Sequence, residues 1–268
     1  MFKADYHVHS SYSCDANADA NIESIAKTVA EMGLDEIALC DHYDVDWVLR
    51  GENPDIDFHE TLRQIKKTQS SKILLGIELG QPNQFPDKAN EVLSKYDFDF
   101  ILCALHNARN EKDFYFIDYK NTDISTLINI FEKYTAELCE LASWRNFHSL
   151  AHITYPLRYF MQNDINISIE KYTDLYVKLF KILIQRGIAL EVNTSGLRKV
   201  GKQTMPPNGL LKLYKETGGE LITVGSDAHN TSDIFSGIAE TYERLHALGF
   251  RYITTVKDKK LTQNKIEI

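Results

Sequence analysis

The chain has 268 residues, 43% of them hydrophobic and 25% charged, which is ordinary globular usage and excludes disordered and fibrous classes. That length suits one α/β barrel or two smaller domains, and it builds a large core without covalent staples. A net charge of −8 argues against a nucleic-acid surface, since phosphate backbones require clustered Lys and Arg, but it allows a small anionic substrate held by local charges.

Taken in chain order, short apolar runs alternate with helical patterns. The first run, Ala4–Val8, is interrupted by Asp5 and His7 and preceded by Lys3, where a signal peptide would be apolar. Next, Ile22, Ile25, Val29 and Met32 fall on one helical face, with Asn21 as cap and Gly33 as terminator. Strand-like runs follow at Glu36–Cys40, Ile73–Ile77 and Phe100–Leu105. Ile124, Leu127, Ile128, Phe131 and Leu138 form a second stripe, ahead of a strand at Ser149–Ala151. A third stripe, Tyr172, Leu175, Tyr176, Leu179, Phe180 and Leu183, ends before Gly187. Strands at Ala189–Val192 and Leu221–Val224 complete the series, with Tyr252–Val256 a weaker eighth and the tail from Lys257 to Ile268 left open between a last strand and a mobile end.

Helical stripes of this kind are core faces. Strand–helix alternation with short connections predicts a parallel sheet, and seven or eight units predict an α/β barrel of the TIM-like kind. No repeat, low-complexity tract or Pro/Gly/Ser linker divides the sequence, so residues 1–268 read as one domain. No apolar run reaches the ~20 residues that span a bilayer. Cys14, Cys40, Cys103 and Cys139 form no CxxC pair, which fits a reduced compartment. The expectation is a soluble, cytoplasmic protein with no membrane or nucleic-acid partner.

In such a barrel, chemistry gathers at the C-terminal ends of the strands. The polar residues there are His7 and His9, then Asp41-His42, Glu78, His106, His152, Asn193 and the run Ser226-Asp227-Ala228-His229. Two histidines at i and i+2 on a strand face the same side, as paired metal ligands require. Six of the nine histidines therefore lie at one rim, leaving His59, His148 and His246 as ordinary residues. Together with Asp15, Glu78 and Asp227 they predict a site for two to three divalent ions. Imidazoles with carboxylates and no thiolates suit Zn, Mn or Fe better than Ca or Mg. Glu78, central in the strand order, is the natural bridge.

This ordered set of His-x-His, Asp-His, a strand-end Glu, two isolated His and a final Asp-x-His resembles the polymerase-and-histidinol-phosphatase (PHP) superfamily over essentially the whole chain. The stretches 151–159 (AHITYPLRY) and 191–198 (EVNTSGLR) are similar to its histidinol-phosphatase branch. The resemblance implies a distorted, TIM-like (β/α)7 barrel with a trinuclear metal site. Carried over by motif, His7, His9, Glu78 and Asp227 would hold the first ion, Glu78, His106 and His152 the second, and Asp15, His42 and His229 the third. Ser10 and Cys40 stand where many relatives carry Thr, and Asp15 where some carry His.

The implied reaction is hydrolysis of L-histidinol phosphate to L-histidinol and phosphate, in histidine biosynthesis. Two neighbouring ions would activate a bridging hydroxide for in-line attack, with Glu78, Asp227 and His229 as the catalytic groups. Arg158 and Arg198, after the fifth and sixth strands, fit a phosphate cradle, and Asn193 and Ser195 are candidate substrate contacts. Asp5 is an expected acceptor that orients an imidazole. Asp44 and Asp46 are candidate partners for a substrate amine, and Tyr155 and Tyr159 for its ring, with loop and core roles as the alternatives. Two competing readings are a broader phosphoesterase on nucleotides or nucleic-acid ends, and a non-catalytic metal-binding scaffold.

Overall fold

The computed structural model describes residues 1–52, 55–145 and 147–267. In chain order it contains β1 (Ala4–Val8), α1 (Ile22–Glu31), β2 (Glu36–Leu39), β3 (His42–Asp44), α2 (Val45–Arg50), α3 (Phe58–Lys67) and β4 (Ile73–Gly80). There follow α4 (Pro86–Lys95), β5 (Phe100–Ala104), α5 (Ile124–Trp144), β6 (Ser149–Leu150), α6 (Tyr155–Gln162) and α7 (Thr173–Arg186). The remainder is β7 (Ala189–Asn193), α8 (Asn208–Glu216), β8 (Ile222–Gly225), α9 (Ile238–Ala247), β9 (Tyr252–Lys257) and β10 (Lys260–Lys265). Among the described residues no helix is long and apolar enough to cross a membrane.

The strands run parallel in the order β1-β2-β4-β5-β6-β7-β8. The two edges approach each other through a parallel bridge from Val8 to Ala228. His7 O accepts from Asp227 N–H at 2.7 Å, and Ala228 O from His9 N–H at 2.9 Å. The result is a nearly closed, seven-stranded TIM-like barrel, as the alternation predicted.

Helix α1 shows how local sequence builds the shell. Asn21 Oδ1 accepts from Ser24 N–H at 2.9 Å, and Gly33 ends the helix at φ +62°, satisfying groups that helix ends leave open. Ile22, Ile25 and Val29 are buried, each contributing about 1.5–3 kcal/mol relative to exposure. Met32, expected on the same face, is exposed because it is already the cap residue.

Two departures from expectation matter. The second strand breaks at Cys40–Asp41 and resumes as β3, which pairs with the upper half of β4 through His42–Glu78, Tyr43–Leu79 and Asp44–Gly80. Glu78 is therefore inside an eight-residue strand, not beyond its end. The weaker eighth run does form a strand, but outside the barrel. It pairs antiparallel with the tail as a hairpin, β9–β10; Ile268 lies outside the described residues. That hairpin covers the end of the barrel opposite the site. Its Lys259 O contacts His148 Nε2 at 3.1 Å, its Val256 N–H donates to Tyr6 Oη at 2.6 Å, and its Thr254 Oγ1 accepts from Ile222 N–H at 2.9 Å.

Candidate metal centre and active-site cleft

The barrel's parallel strands bring the predicted rim residues to one place. Glu78, fully buried on β4, is the hub. Its Oε2 lies 2.8 Å from His42 Nδ1, 3.3 Å from His7 Nε2 and 3.6 Å from His9 Nε2. Its Oε1 lies 2.8 Å from His152 Nε2 and 3.3 Å from His106 Nε2. Asp227 Oδ1 sits 3.3 Å from His9 Nε2 and 3.7 Å from His7 Nε2. On the outer side Asp15 Oδ2 is 3.1 Å from His229 Nε2 and 3.6 Å from His42 Nε2.

The far ring nitrogens decide how these imidazoles are used. His7 Nδ1–H donates to Glu191 Oε1 at 2.6 Å, and His106 Nδ1–H to Asp44 Oδ1 at 2.7 Å. His9 Nδ1–H donates to Ser13 Oγ at 3.1 Å, and His229 Nδ1–H to the Asp227 carbonyl at 3.1 Å. A proton fixed on Nδ1 leaves Nε2 as a lone pair. When these rings are neutral, four such lone pairs point into the cluster. His7 Nε2, His9 Nε2 and Glu78 Oε2 are buried without a hydrogen-bond partner, an arrangement that is costly unless a cation occupies the space between them. The donor chemistry fits a divalent transition metal. Three triads are compact enough to hold one: His7, His9 and Glu78; His42, Glu78 and His106; and His9, His42 and His229. His42 thus belongs to the middle triad as well as facing Asp15.

Without a cation, the cluster's imidazoles and carboxylates hold one another as ion pairs. Burial acts to raise Glu78 and Asp227, yet the surrounding histidines hold both well below the usual carboxylate range. Burial acts to lower His7, His42 and His106, but the nearby carboxylates hold them well above the ordinary imidazole value. His9 is the exception, pushed down to about 3 by burial and by the charges of His229 and His42. Burial also raises Asp15, and hydrogen bonds from His229 and His42 outweigh it, so its carboxyl lies well below the ordinary value.

A supporting shell holds these groups. Glu191 Oε2 also accepts from the His152 backbone N–H at 2.8 Å, so one carboxylate fixes two histidines. Asp41 accepts from Ser10 N–H at 2.6 Å, Ser10 Oγ at 2.7 Å and Ser13 Oγ at 2.9 Å, steadying the serine that orients His9. Cys40 is a buried thiol beside Tyr6 O. Asp227 adopts φ +54°, a left-handed turn that Asp tolerates.

Several predicted residues take other work. Asp5, expected to orient an imidazole, instead accepts from Ser226 N–H and Phe235 N–H, both at 2.8 Å, tying β1 to the loop after β8. Asn193 is buried, donating to Asp227 Oδ2 at 3.3 Å and accepting from Ser195 Oγ at 2.7 Å; Ser195 reaches Asp227 Oδ2 at 3.1 Å. Both therefore brace Asp227, and only Ser195 lines the cleft. Asp44 holds His106, and Asp46 pairs with Arg50 at 2.9 Å, so neither waits for an amine. Tyr155 is buried against the His106 and His152 rings, 5.1 and 5.2 Å between centroids. Tyr159 Oη donates to Tyr155 Oη at 2.9 Å. Glu191 had no assigned role in the sequence reading; its signal is a carboxylate inside an otherwise apolar strand, which must find a partner.

Above the cluster lies a cleft of about 600 Å³, lined on one side by Arg158 and Arg198 and on another by Trp47, Tyr115 and Phe116. The Arg158 guanidinium stacks over Tyr155 and Tyr159 at 4.6 and 4.8 Å and reaches Asp227 Oδ2 at 4.0 Å. Arg198 donates to Ser226 O at 2.8 Å and faces Asp233 at 3.4 Å. Both are anchored cations at the cluster's edge. His59 is exposed on α3, His246 half-buried on α9, and His148 accepts from Ile101 N–H at 2.9 Å below the barrel; none joins the site.

The PHP domain family model matches residues 5–195. A probable histidinol-phosphatase of Clostridium acetobutylicum is 30% identical over 232 residues, covering 86% of this chain and 88% of that protein. Another, of Thermotoga maritima, is 30% identical over 263 residues, covering 98% and 99%. In structure, the chain is similar to the crystallised histidinol phosphate phosphatase of Lactococcus lactis subsp. lactis, complexed with zinc, L-histidinol and phosphate. The TM-score is 0.81 at 21% identity, over 97% of this chain and 99% of that one.

Proposed function

Since the chain belongs to the PHP domain family, in its histidinol-phosphatase branch, we propose that it is a metal-dependent phosphomonoesterase that hydrolyses L-histidinol phosphate to L-histidinol and phosphate. The observation that carries this reading is the convergence of tautomer-fixed imidazoles on Glu78, beneath a cleft edged by two arginines.

Phosphate monoester hydrolysis is extremely slow without a catalyst and rests on positioning and charge neutralisation. Two to three Zn, Mn or Fe ions fit the donor set. His7, His9, Glu78 and Asp227 would hold one, Glu78, His106 and His152 a second, and Asp15, His42 and His229 a third, with His42 shared toward Glu78. When bound, such ions supply a water that ionises near neutral pH and offset phosphoryl charge.

The chain's own residues supply the rest. Arg158 and Arg198 bind the phosphate oxygens, since a guanidinium fork matches two of them. Tyr155 and Tyr159 keep Arg158 pre-organised by stacking, so little side-chain freedom is lost on binding. Asp227 orients the attacking water, one oxygen facing the imidazoles and the other held by Ser195 and Asn193. His229, with a side chain 25% exposed, passes a proton between the leaving oxygen and solvent. Asp44 and Glu191 hold His106 and His7 in the required tautomer, and Ser13, steadied by Asp41, does so for His9.

Phosphate release from L-histidinol phosphate, measured beside sugar phosphates and nucleotides on metal-stripped and Mn- or Zn-reloaded protein, tests the reading. The expected result is a strong preference for histidinol phosphate, lost on stripping and restored on reloading. Activity spread over nucleotides would point to a broader phosphoesterase, and stoichiometric metal binding without turnover to a scaffold.

A further inference from the structure

Asp44 accepts the His106 Nδ1–H bond, so whatever holds Asp44 bears on the metal centre. Pairing of His42 with Glu78 and of Asp44 with Gly80 lays the Asp44 side chain across β4. A Cβ on Gly80 would collide with Asp44 Oδ1. The next residue, Gln81, is fully buried and has φ +52°. Its N–H donates to Ala104 O at 3.0 Å, and its carbonyl accepts from Gln84 N–H at 3.1 Å. A left-handed turn of this kind suits glycine or asparagine, and such outliers gather where a chain is held for a function. Backbone geometry therefore does not explain a glutamine here; its side chain must.

One end of the Gln81 amide lies 3.1 Å from Asp44 Oδ1 and 3.3 Å from Gly80 O. Both are acceptors. An amide oxygen there would bury three acceptors against one another, whereas the NH2 group donates to both. The other end meets the Asn107 side-chain amide, and Gln84 Nε2–H donates to Asn107 O at 3.1 Å. Asn107 directly follows His106 in the chain. The Gln81 amide thus grips both sides of the 2.7 Å His106–Asp44 bond, yet it is not part of the cleft wall.

We propose that Gln81 is a positioning residue of the metal centre: its amide clamps Asp44 to the His106–Asn107 segment and so keeps His106 Nε2 aimed at Glu78. Donors to a carboxylate that itself orients a metal-binding imidazole act on affinity through that imidazole. Gln81 touches neither the cation space nor the substrate, so its whole effect passes through Asp44 and His106.

The test reads zinc affinity first, by competition with a chromogenic chelator. Gln81→Met keeps the length of the side chain and donates nothing to Asp44. It is expected to weaken zinc binding at the site that includes His106 by about 10- to 100-fold, leaving the remaining zinc affinity unchanged. Turnover of L-histidinol phosphate should lose kcat while KM holds. Gln81→Leu, which also donates nothing, should behave alike, so a folding failure of one variant does not block the test. In a His106→Asn background neither substitution should weaken zinc binding further, because Gln81 acts through that ring. An amide with a merely structural role would cost the same in both backgrounds. Wild-type zinc affinity in a folded variant, or an equal loss with and without His106, overturns the assignment. Only the turnover arm rests on the phosphomonoesterase reading above. If metal-loaded wild type hydrolyses no phosphate ester, that reading falls, and the expected pattern of zinc affinities still supports Gln81.

Discussion

Glu191→Gln removes one charge and keeps the number of non-hydrogen atoms, yet the geometry gives it no acceptable orientation. In the wild type Oε1 accepts from His7 Nδ1–H at 2.6 Å, while Oε2 accepts from the His152 backbone N–H at 2.8 Å and from Asn193 Nδ2–H at 3.4 Å. Both oxygens face donors. A glutamine amide must therefore turn its NH2 toward one of them, leaving a buried donor unsatisfied at about 1–3 kcal/mol. If the amide faces His7, that ring loses the bond that keeps Nε2 free; if it faces His152, the loop after β6 shifts. Removing such a supporting group typically weakens metal binding or activity by about 10- to 100-fold. For a chain of this length the same cost lowers the melting temperature by roughly 2–10 °C. Metal affinity would be read by competition with a chromogenic chelator, stability by thermal unfolding of metal-free and metal-loaded protein, and turnover by phosphate release. A variant that binds metal and unfolds like wild type would refute the argument, because it would show that the His7–Glu191 bond does not set the tautomer.

Glu78→Gln should cost more, about 10²–10³-fold or beyond in kcat, since Glu78 Oε1 and Oε2 face five imidazole nitrogens; activity close to wild type would exclude it as the bridge. Gly225→Ala places a Cβ 2.3 Å from His7 Cβ and 2.8 Å from Glu191 Oε1; overpacking of about 1–3 kcal/mol should appear as a lower melting temperature together with reduced metal content, and normal metal content would show that the barrel absorbs the methyl without moving His7. Metal binding should strengthen as pH rises. His7, His42 and His106 are held above the ordinary imidazole value, so in metal-free protein they keep their protons at neutral pH and must release them to bind a cation. Their ion pairs stabilise the metal-free form fully below about pH 6.5 and lose that contribution as pH rises through the elevated values. The gap in melting temperature between metal-loaded and metal-free protein should therefore widen from pH 5.5 to pH 8; a gap that stays constant would contradict the charge assignment.

Much of the barrel was legible because its signals are local. Apolar runs alternating with helical stripes require a parallel sheet, and β1, β2 and β4 to β8 all lie at or within a few residues of the expected runs. The break between β2 and β3 was not legible, since His42-Tyr43-Asp44 carries no distinct strand pattern and pairs only because the upper half of β4 is there to receive it. The final hairpin was misplaced for a related reason. Tyr252–Val256 has strand-like composition, but only contacts with Tyr6 and Ile222 decide that it covers the barrel's far end.

The residues of the candidate site follow the same division. Sequence by itself determined which side chains meet: polar residues at the C-terminal ends of parallel strands must converge, because the strands are parallel and the connections short. It could not say what each one faces. Whether Asp44 receives a substrate amine or holds His106, whether Asn193 touches substrate or braces Asp227, and whether Asp5 or Glu191 orients His7 depend on distances of a few tenths of an ångström between residues far apart in the chain. Burial makes those distances decisive, since every polar atom removed from water must be partnered. Tertiary structure thus selected the supporting shell.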